Sequence, residues 1–127
     1  MADGVTSVLE VPGLDVAQGL HFVGGRMSTY LTILRMIAEQ QADVVGEIRR
    51  ALDADDQDAA LQVLHTAKGI LGTIGAAQLH VDAAALYLAL REHRPRADID
   101  PLLKDFEARH DILVAGLIAQ VPADTPR

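Results

Sequence analysis

Apolar side chains recur at helical spacing along most of this chain. The prolines stand at positions 12, 95, 101, 122 and 126, so residues 13–94 can form long helices that no proline interrupts. Two apolar series follow each other in this stretch: Met27, Tyr30, Leu31, Leu34 and Ile37, and then Val44, Val45, Ile48 and Leu52. Because the phase shifts between them, around residues 39–41, the pattern predicts two helices or one kinked helix.

Capping residues predict where the helices around this region begin and end. Asp15 can cap a short helix that reaches about Val23, and the pair Gly24-Gly25 would end it. The acidic run of residues 53–58 can cap the N-terminus of the following helix and complement its dipole. That helix is expected to end at Gly75.

Two more helices are predicted in the second half of the chain. One runs from about Ala77 to Glu92, and the last one begins at Asp98 or Asp100, ahead of Pro101. The inward positions of the last helix are Leu103, Phe106, Leu113 and Leu117. Since the connections are short, we expect an all-α fold, an antiparallel four-helix bundle with an additional short N-terminal helix.

The length and composition agree with one small helical domain. The chain has 127 residues, of which 50% are hydrophobic and only 3% are aromatic, so the core is made of Ala, Leu, Val and Ile. We expect a disordered lead or linker over residues 1–13, the helical bundle over residues 14–120 and a flexible tail over residues 121–127.

Charge and residue usage exclude several classes of function. A net charge of −7 argues against binding to nucleic acid, which needs a basic surface. The absence of cysteine excludes disulfides and thiolate chemistry and is typical of a reducing compartment. No stretch has the length of a membrane span, and the N-terminus lacks the pattern of a signal peptide. We therefore expect a cytoplasmic domain without membrane contact.

His65 stands out because of the glycines that share its side of a helix. At about 100° per residue, the apolar positions of this helix all fall within about 60° of Ala67. They are Ala60, Val63, Leu64, Ala67, Ile70, Leu71 and Ile74. His65 points about 160° away from Ala67, with Gly69 and Gly72 beside it, so it is predicted to face water.

The face around His65 is suited to an anion that arrives and leaves. Each glycine inside a helix costs roughly 0.5–1 kcal/mol relative to alanine, and bare backbone at Gly69 and Gly72 would let another molecule approach the imidazole. Lys68 can bring its ammonium alongside the ring. These features favour a group that accepts and returns a phosphoryl. The remaining positions of the predicted docking surface are Leu61, Gln62, Thr66 and Thr73.

The segment that contains His65 also resembles a known family. The pattern His65-x-x-Lys68-Gly69-x-x-Gly72-x-x-Gly75-Ala76 is similar to that of the histidine-containing phosphotransfer (HPt) domains of multistep two-component phosphorelays. The similarity covers about residues 12–118. Motifs in the first half of the chain resemble the N-terminal half of HPt domains attached to hybrid sensor kinases: Pro12-Gly13-Leu14-Asp15, Gly19-Leu20, Gly24-Gly25, Tyr30-Leu31 and the acidic turn of residues 53–58.

The resemblance implies a phosphocarrier that is not itself an enzyme. By position, His65 would be the phosphorylated residue, Lys68 would help to hold the phosphoryl group and Gly69 would clear the approach. The partners would be receiver domains, which supply the aspartyl phosphate and the magnesium ion, while this chain, a monomer, needs no cofactor of its own. Two positions depart from the family: Ala67 stands where leucine is often found, and Tyr87 where glutamate is common.

Other functions remain compatible with a helical bundle. A histidine-kinase dimerisation bundle also presents a histidine, but it normally has an acidic residue and a proline soon afterwards, and neither follows His65. An adaptor that is never phosphorylated could use the glycines to accept a partner helix. An enzyme with its own active site is disfavoured, since the chain has no glycine-rich phosphate loop, no paired nucleophile and base and no cofactor motif.

The other histidines are interpreted as structural or surface residues. They are His21, His80, His93 and His110, and no two histidines of the chain have the i, i+4 spacing of a helical metal pair, so no metal site is predicted. His110 lies on the apolar stripe of the last helix, where a partly buried, hydrogen-bonded imidazole is expected.

Overall fold

The computed structural model describes residues 11–121, and this part of the chain is helical without a strand. Its helices are α1 (Val16–Phe22), α2 (Met27–Gln41), α3 (Val44–Asp53), α4 (Gln57–Ile74), α5 (Ala77–Arg91) and α6 (Arg96–Gln120). Residues 1–10 of the expected lead and residues 122–127 of the expected tail lie outside the described residues. Val11 and Val121, at the two ends of the described range, are both buried. Val11 packs against Gly116 of α6.

The long helices form an antiparallel bundle, in which α2 and α3 follow each other closely and together form one of its four helical segments. Only Ala42 and Asp43 separate these two helices, and Ala42 keeps helical dihedral angles of φ −56° and ψ −34°. Short turns connect α3, α4, α5 and α6, so helices that follow each other in sequence pack antiparallel, and α6 closes the bundle against α2. The predicted fold class is confirmed, and the shifted apolar series forms two helices.

The start of α6 differs from the prediction. This helix begins at Arg96 and not at Asp98 or Asp100, so that Pro101 lies inside it. An ion pair across the first turn of the helix joins Nε of Arg96 to Oδ1 of Asp100 at 2.6 Å. Pro101 offers no N–H to the carbonyl of Ala97, but both residues are exposed, and water can satisfy that carbonyl. The proline is therefore tolerated on the outer side of the helix.

The core contains the apolar stripes that the sequence predicts. On α4, the buried residues are Ala60, Leu64, Ala67, Leu71 and Ile74, while Val63 and Ile70 are half-buried at the edges of the stripe. On α6, Leu103, Phe106, Leu113 and Leu117 are buried. Burial of one leucine side chain contributes about 1.5–3 kcal/mol. A rotation of α4 that exposed Leu64 and Leu71 would lose this contribution twice, so the orientation of the helix is strongly determined.

The C-terminal end of α4 is held by the N-terminal part of the chain. Gly75 ends the helix with a φ of +96°, and its carbonyl accepts a hydrogen bond from the N–H of Asp15 at 2.8 Å. The Tyr30 hydroxyl donates to the Ile74 carbonyl at 2.8 Å. Burial and the nearby Asp15 raise the pKa of Tyr30 to about 12, so the hydroxyl keeps its proton. A side chain at Gly19 of α1 would collide with the Ile74 carbonyl and the Tyr30 ring.

His110 is a buried histidine in the centre of the bundle, as the sequence predicts. It is 2% exposed, and its Nε2–H donates to Oε1 of Gln41 on α2 at 3.1 Å. Its ring also packs on Phe106, with the ring centroids 5.3 Å apart. Burial lowers the pKa of His110, and the nearby Asp111 offsets only part of this effect. The folded protein therefore favours the neutral imidazole.

We expect the buried His110 to make the fold less stable in mild acid. As the pH falls below about 6.5, the ordinary pKa of histidine, the unfolded chain takes up a proton that the folded chain resists. The stabilisation is complete above this pH and is lost as the pH falls toward the lowered pKa of the folded state. Urea unfolding between about pH 8 and pH 5 should show a steeper loss for the native chain than for His110→Gln.

The matched control for this experiment is His21→Gln, because His21 is exposed on α1. This variant should have the same pH dependence as the native chain. Ionisable groups that the three proteins share cancel in the comparison, so only the difference between the native chain and His110→Gln reports on His110. An identical pH dependence for the native chain and His110→Gln would contradict the prediction.

Candidate functional site

α4 presents His65 on the outer side of the bundle. The helix is capped at its start by Asp56, whose side chain accepts from the N–H of Ala59 at 3.1 Å. His65 is exposed, in agreement with the helical wheel. The hydrogen bonds of histidine rings within residues 11–121 belong to other histidines, namely His80, His93 and His110. The His65 imidazole therefore keeps both ring nitrogens available to another molecule.

Gly69 leaves open space one turn after His65. A Cβ built on Gly69 would meet no atom within 4 Å, and the residue is exposed. Nothing in the packing of the described residues thus requires a glycine here. The carbonyl of Gly69 accepts a hydrogen bond from the hydroxyl of Thr73 at 2.9 Å, while the Cα side of Gly69 is bare. This position matches the predicted gap in the surface beside the imidazole.

Gly72 has a different surrounding from the one predicted. A Cβ on Gly72 would lie 2.9 Å from Nδ1 of His80, so the missing side chain makes room for a ring from α5. Nδ1–H of His80 donates to the carbonyl of Lys68 at 2.8 Å, and this bond connects α5 to α4 directly below the exposed face. The prediction that Gly72 belongs to an open approach surface is therefore wrong, because the space beside it is filled by the bundle itself.

Lys68 and His65 share an aromatic neighbour. The ring of Tyr87 on α5 has its centroid 5.0 Å from Nζ of Lys68 and 6.0 Å from the centroid of the His65 ring. Lys68 and Tyr87 are both half-buried. The site therefore combines an exposed imidazole, an ammonium and an aromatic ring that lies close to both.

Sequence reasoning identified Tyr87 only as a departure from the HPt pattern and missed its position at the site. A signal was available in the spacing, because α4 and α5 pack antiparallel across a tight turn. His65 lies ten residues before Gly75, and Tyr87 lies eleven residues after Ala76. Residues at similar distances from such a turn face each other across two antiparallel helices.

On its other side, His65 borders a shallow apolar groove between α4 and α2. The groove is lined by Ile33, Ile37, His65, Thr66, Gly69, Ile70, Thr73 and Ile74. Of the remaining predicted surface residues, Gln62 is exposed on the same side of α4, and Leu61 is half-buried against the core. The two sides of the imidazole thus differ: one carries the cation and the aromatic ring, and the other is apolar and open.

Comparison with known proteins connects this arrangement with a family. The family model described as "Hpt domain" matches residues 32–123, more than two thirds of the chain. The chain belongs to the HPt family. No curated protein and no solved structure matches it. HPt domains take part in histidine phosphotransfer within two-component phosphorelays, and they interact with receiver domains.

The HPt match begins inside α2 and includes the whole of α4 and α5. It therefore contains His65, Lys68 and Tyr87, while α1 precedes it. Of the motifs that resemble HPt domains of hybrid sensor kinases, the four between residues 12 and 31 lie ahead of the matched range, and the acidic turn of residues 53–58 lies inside it.

The other histidines lie apart from His65 or have structural contacts. His93 lies in the turn after α5, where its Nδ1 is 3.1 Å from Nε2 of Gln57, and His21 is exposed on α1. Within residues 11–121, no three His, Asp or Glu side chains are grouped so that they could hold a metal ion. None of the helices in that range is long and apolar enough to cross a membrane.

Alanine substitutions at the two glycines should have opposite effects on stability. Gly69→Ala should stabilise the fold by roughly 0.5–1 kcal/mol, because alanine favours the helix and its Cβ meets nothing. Gly72→Ala should destabilise the fold, because its Cβ displaces the His80 ring from its hydrogen bond with Lys68. Urea unfolding of both variants measures the two effects.

The same substitution in a chain that lacks the His80 ring shows whether the contact with His80 causes the destabilisation by Gly72→Ala. In a His80→Ala chain the obstacle is gone, so Gly72→Ala should become favourable, as alanine is elsewhere in a helix. Equal stabilisation by Gly69→Ala and Gly72→Ala in the native background would show that the two positions do not differ in this way.

Proposed function

We propose that this HPt domain is a phosphocarrier that accepts a phosphoryl group on His65 from the aspartyl phosphate of one receiver domain and passes it to the aspartate of another. The observation that carries the proposal is the combination at one place on α4 of a free, exposed imidazole, the ammonium of Lys68 and the bare backbone of Gly69. Within the matched range, the other three histidines are buried or bonded, so His65 is the best acceptor there.

The reaction needs little beyond correct positioning. The unprotonated ring nitrogen of His65 attacks phosphorus, and an N–P bond forms as the O–P bond of the aspartyl phosphate breaks. The receiver's aspartate leaves as a carboxylate with the electron pair of that bond. The same exchange in reverse gives the phosphoryl group to a second receiver. Lys68 would offset the negative charge on the phosphoryl oxygens, and the receiver would contribute the magnesium ion.

The groove beside His65 supports this assignment as a docking surface for the receiver. Ile33 and Ile37 of α2 and Ile70 of α4 offer apolar area next to the imidazole. Thr66 and Thr73 add hydroxyl groups at its edge, and Gln62 extends the same face. Leu61 would contribute on the Lys68 side, whereas Gly72 is assigned to the packing of the bundle.

The finer features of the role follow from the same proposal. The motifs between residues 12 and 31 favour an HPt domain of the hybrid-sensor-kinase type. A carrier between receiver domains would act in the cytoplasm as a monomer, without catalysis of its own and without a cofactor of its own. Size measurement in solution tests whether the chain is a monomer, and phosphotransfer from a panel of receivers tests whether it is a carrier between them.

His65→Gln should abolish phosphorylation of the chain. Glutamine keeps a polar side chain at the position but has no nucleophilic ring nitrogen, so no phosphoramidate can form. The native chain and each variant are incubated with a phosphorylated receiver domain, and acid-labile, base-stable phosphate on the chain is measured. His21→Gln is the matched control, because it changes an exposed histidine outside the matched range, and it should be labelled like the native chain.

Either of two results would overturn the proposal. Label on His65→Gln equal to that on the native chain would place the phosphoryl group elsewhere. No label on a folded native chain with several phosphorylated receivers would favour the adaptor function instead.

Gly69→Leu should slow transfer while the domain stays folded. The new side chain would rise beside His65 and displace an incoming phosphoryl donor, and misplacement of about 1 Å can cost on the order of 100-fold in rate. The rate of label transfer from the receiver to His65 measures the effect. Ala108→Leu, on the exposed side of α6, is the matched control and should transfer at the native rate. Native transfer by Gly69→Leu would contradict the proposed route of approach.

A further inference from the structure

Tyr87 lies close to both the imidazole of His65 and the ammonium of Lys68. Its ring centroid lies 5.0 Å from Nζ of Lys68, within the distance of about 6 Å at which an aromatic face attracts a cation. The centroid of the His65 ring is 6.0 Å away, and the two ring planes are inclined at 43°. One aromatic side chain from α5 thus lies close to both the imidazole and the ammonium of α4.

Lys68 has no competing partner of opposite charge in the described part of the chain. The ion pairs within residues 11–121 all join arginines to carboxylates. Lysine carries its charge on a flexible four-carbon stem, which samples many positions unless something restrains it. The face of the Tyr87 ring is therefore the contact that restrains the Lys68 ammonium.

A hydrogen bond to the backbone of Lys68 further limits the positions that its side chain can reach. Its backbone carbonyl accepts the hydrogen bond from His80 at 2.8 Å, so the turn of α4 that carries Lys68 is fixed against α5. Tyr87 lies on the same helix as His80, two turns later. The ring and the backbone of Lys68 are consequently held in one register, and the ammonium is kept on the His65 side.

We propose that Tyr87 is a positioning residue for phosphotransfer, whose ring holds the Lys68 ammonium beside His65 before the phosphoryl group arrives. This inference rests on the proposed function and deepens it. Tyr87 makes and breaks no bond, since the N–P bond forms on His65 and the aspartate of the receiver leaves as before. The ring is suited to this task because it attracts the ammonium through its quadrupole and adds no negative charge near the phosphoryl oxygens.

The test compares Tyr87→Leu with Tyr87→Phe in transfer from a phosphorylated receiver. Tyr87→Leu removes the ring and should slow transfer to His65 by about two- to fivefold, the factor that corresponds to an exposed cation–π contact. Tyr87→Phe keeps the ring and should transfer at close to the native rate. Circular dichroism and urea unfolding check that both variants are folded.

A double-mutant cycle shows whether Tyr87 acts through Lys68. Lys68→Met removes the ammonium and keeps the length of the side chain, so Tyr87→Leu should slow this variant no further. An NMR measurement on the unphosphorylated domain gives an independent signature. The side-chain methylene protons of Lys68 next to Nζ should be shifted upfield by the ring in the native chain and in Tyr87→Phe, and this shift should vanish in Tyr87→Leu.

Three results would overturn the inference: native transfer by Tyr87→Leu, equal slowing by Tyr87→Phe and Tyr87→Leu, or additional slowing by Tyr87→Leu in the Lys68→Met chain. The second would assign the effect to the hydroxyl and the third to a contact other than the ammonium. All three require that the native chain accepts label on His65. Failure of the native chain itself overturns the proposed function, so the two failures are distinguishable.

Discussion

Burial of one face of α4 is the constraint on which the site depends. Leu64, Ala67 and Leu71 lie in the core, and because the helix is rigid, the positions opposite Ala67 face outward. The last carbonyls of α4 are occupied as well, since Ile74 accepts from the Tyr30 hydroxyl. His65 is thus exposed by the packing of its neighbours and needs no contact of its own to point away from the bundle.

α5 determines what lies beside the exposed histidine. The ring of His80 enters the space that Gly72 leaves and donates to the Lys68 carbonyl, which sets the register of the two helices. This register brings Tyr87 next to Lys68 and His65. The helical wheel of α4 could not show either contact, because a wheel describes the directions within one helix and contains no information on the neighbouring one.

Features that depend on residues within one or two turns were predictable from the sequence. The buried stripe around Ala67 follows from helical periodicity, and the end of α4 at Gly75 follows from the freedom of glycine to adopt positive φ. The start of α6 was not predictable in this way. Proline usually stands in the first turn of a helix, but here Pro101 lies inside α6. The helix continues past Pro101 toward the N-terminus and begins at Arg96, which forms ion pairs with Asp100 and Asp53.

The electrostatics of the site explain why an aromatic ring suits Lys68 as a partner. The chain has a net charge of −7, and a phosphoryl group adds further negative charge. At position 87, where glutamate is common in the family, a carboxylate would hold the ammonium by its charge, whereas tyrosine offers a ring face without net charge. The ring of Tyr87 leaves the charge of Lys68 uncompensated and available to the anion.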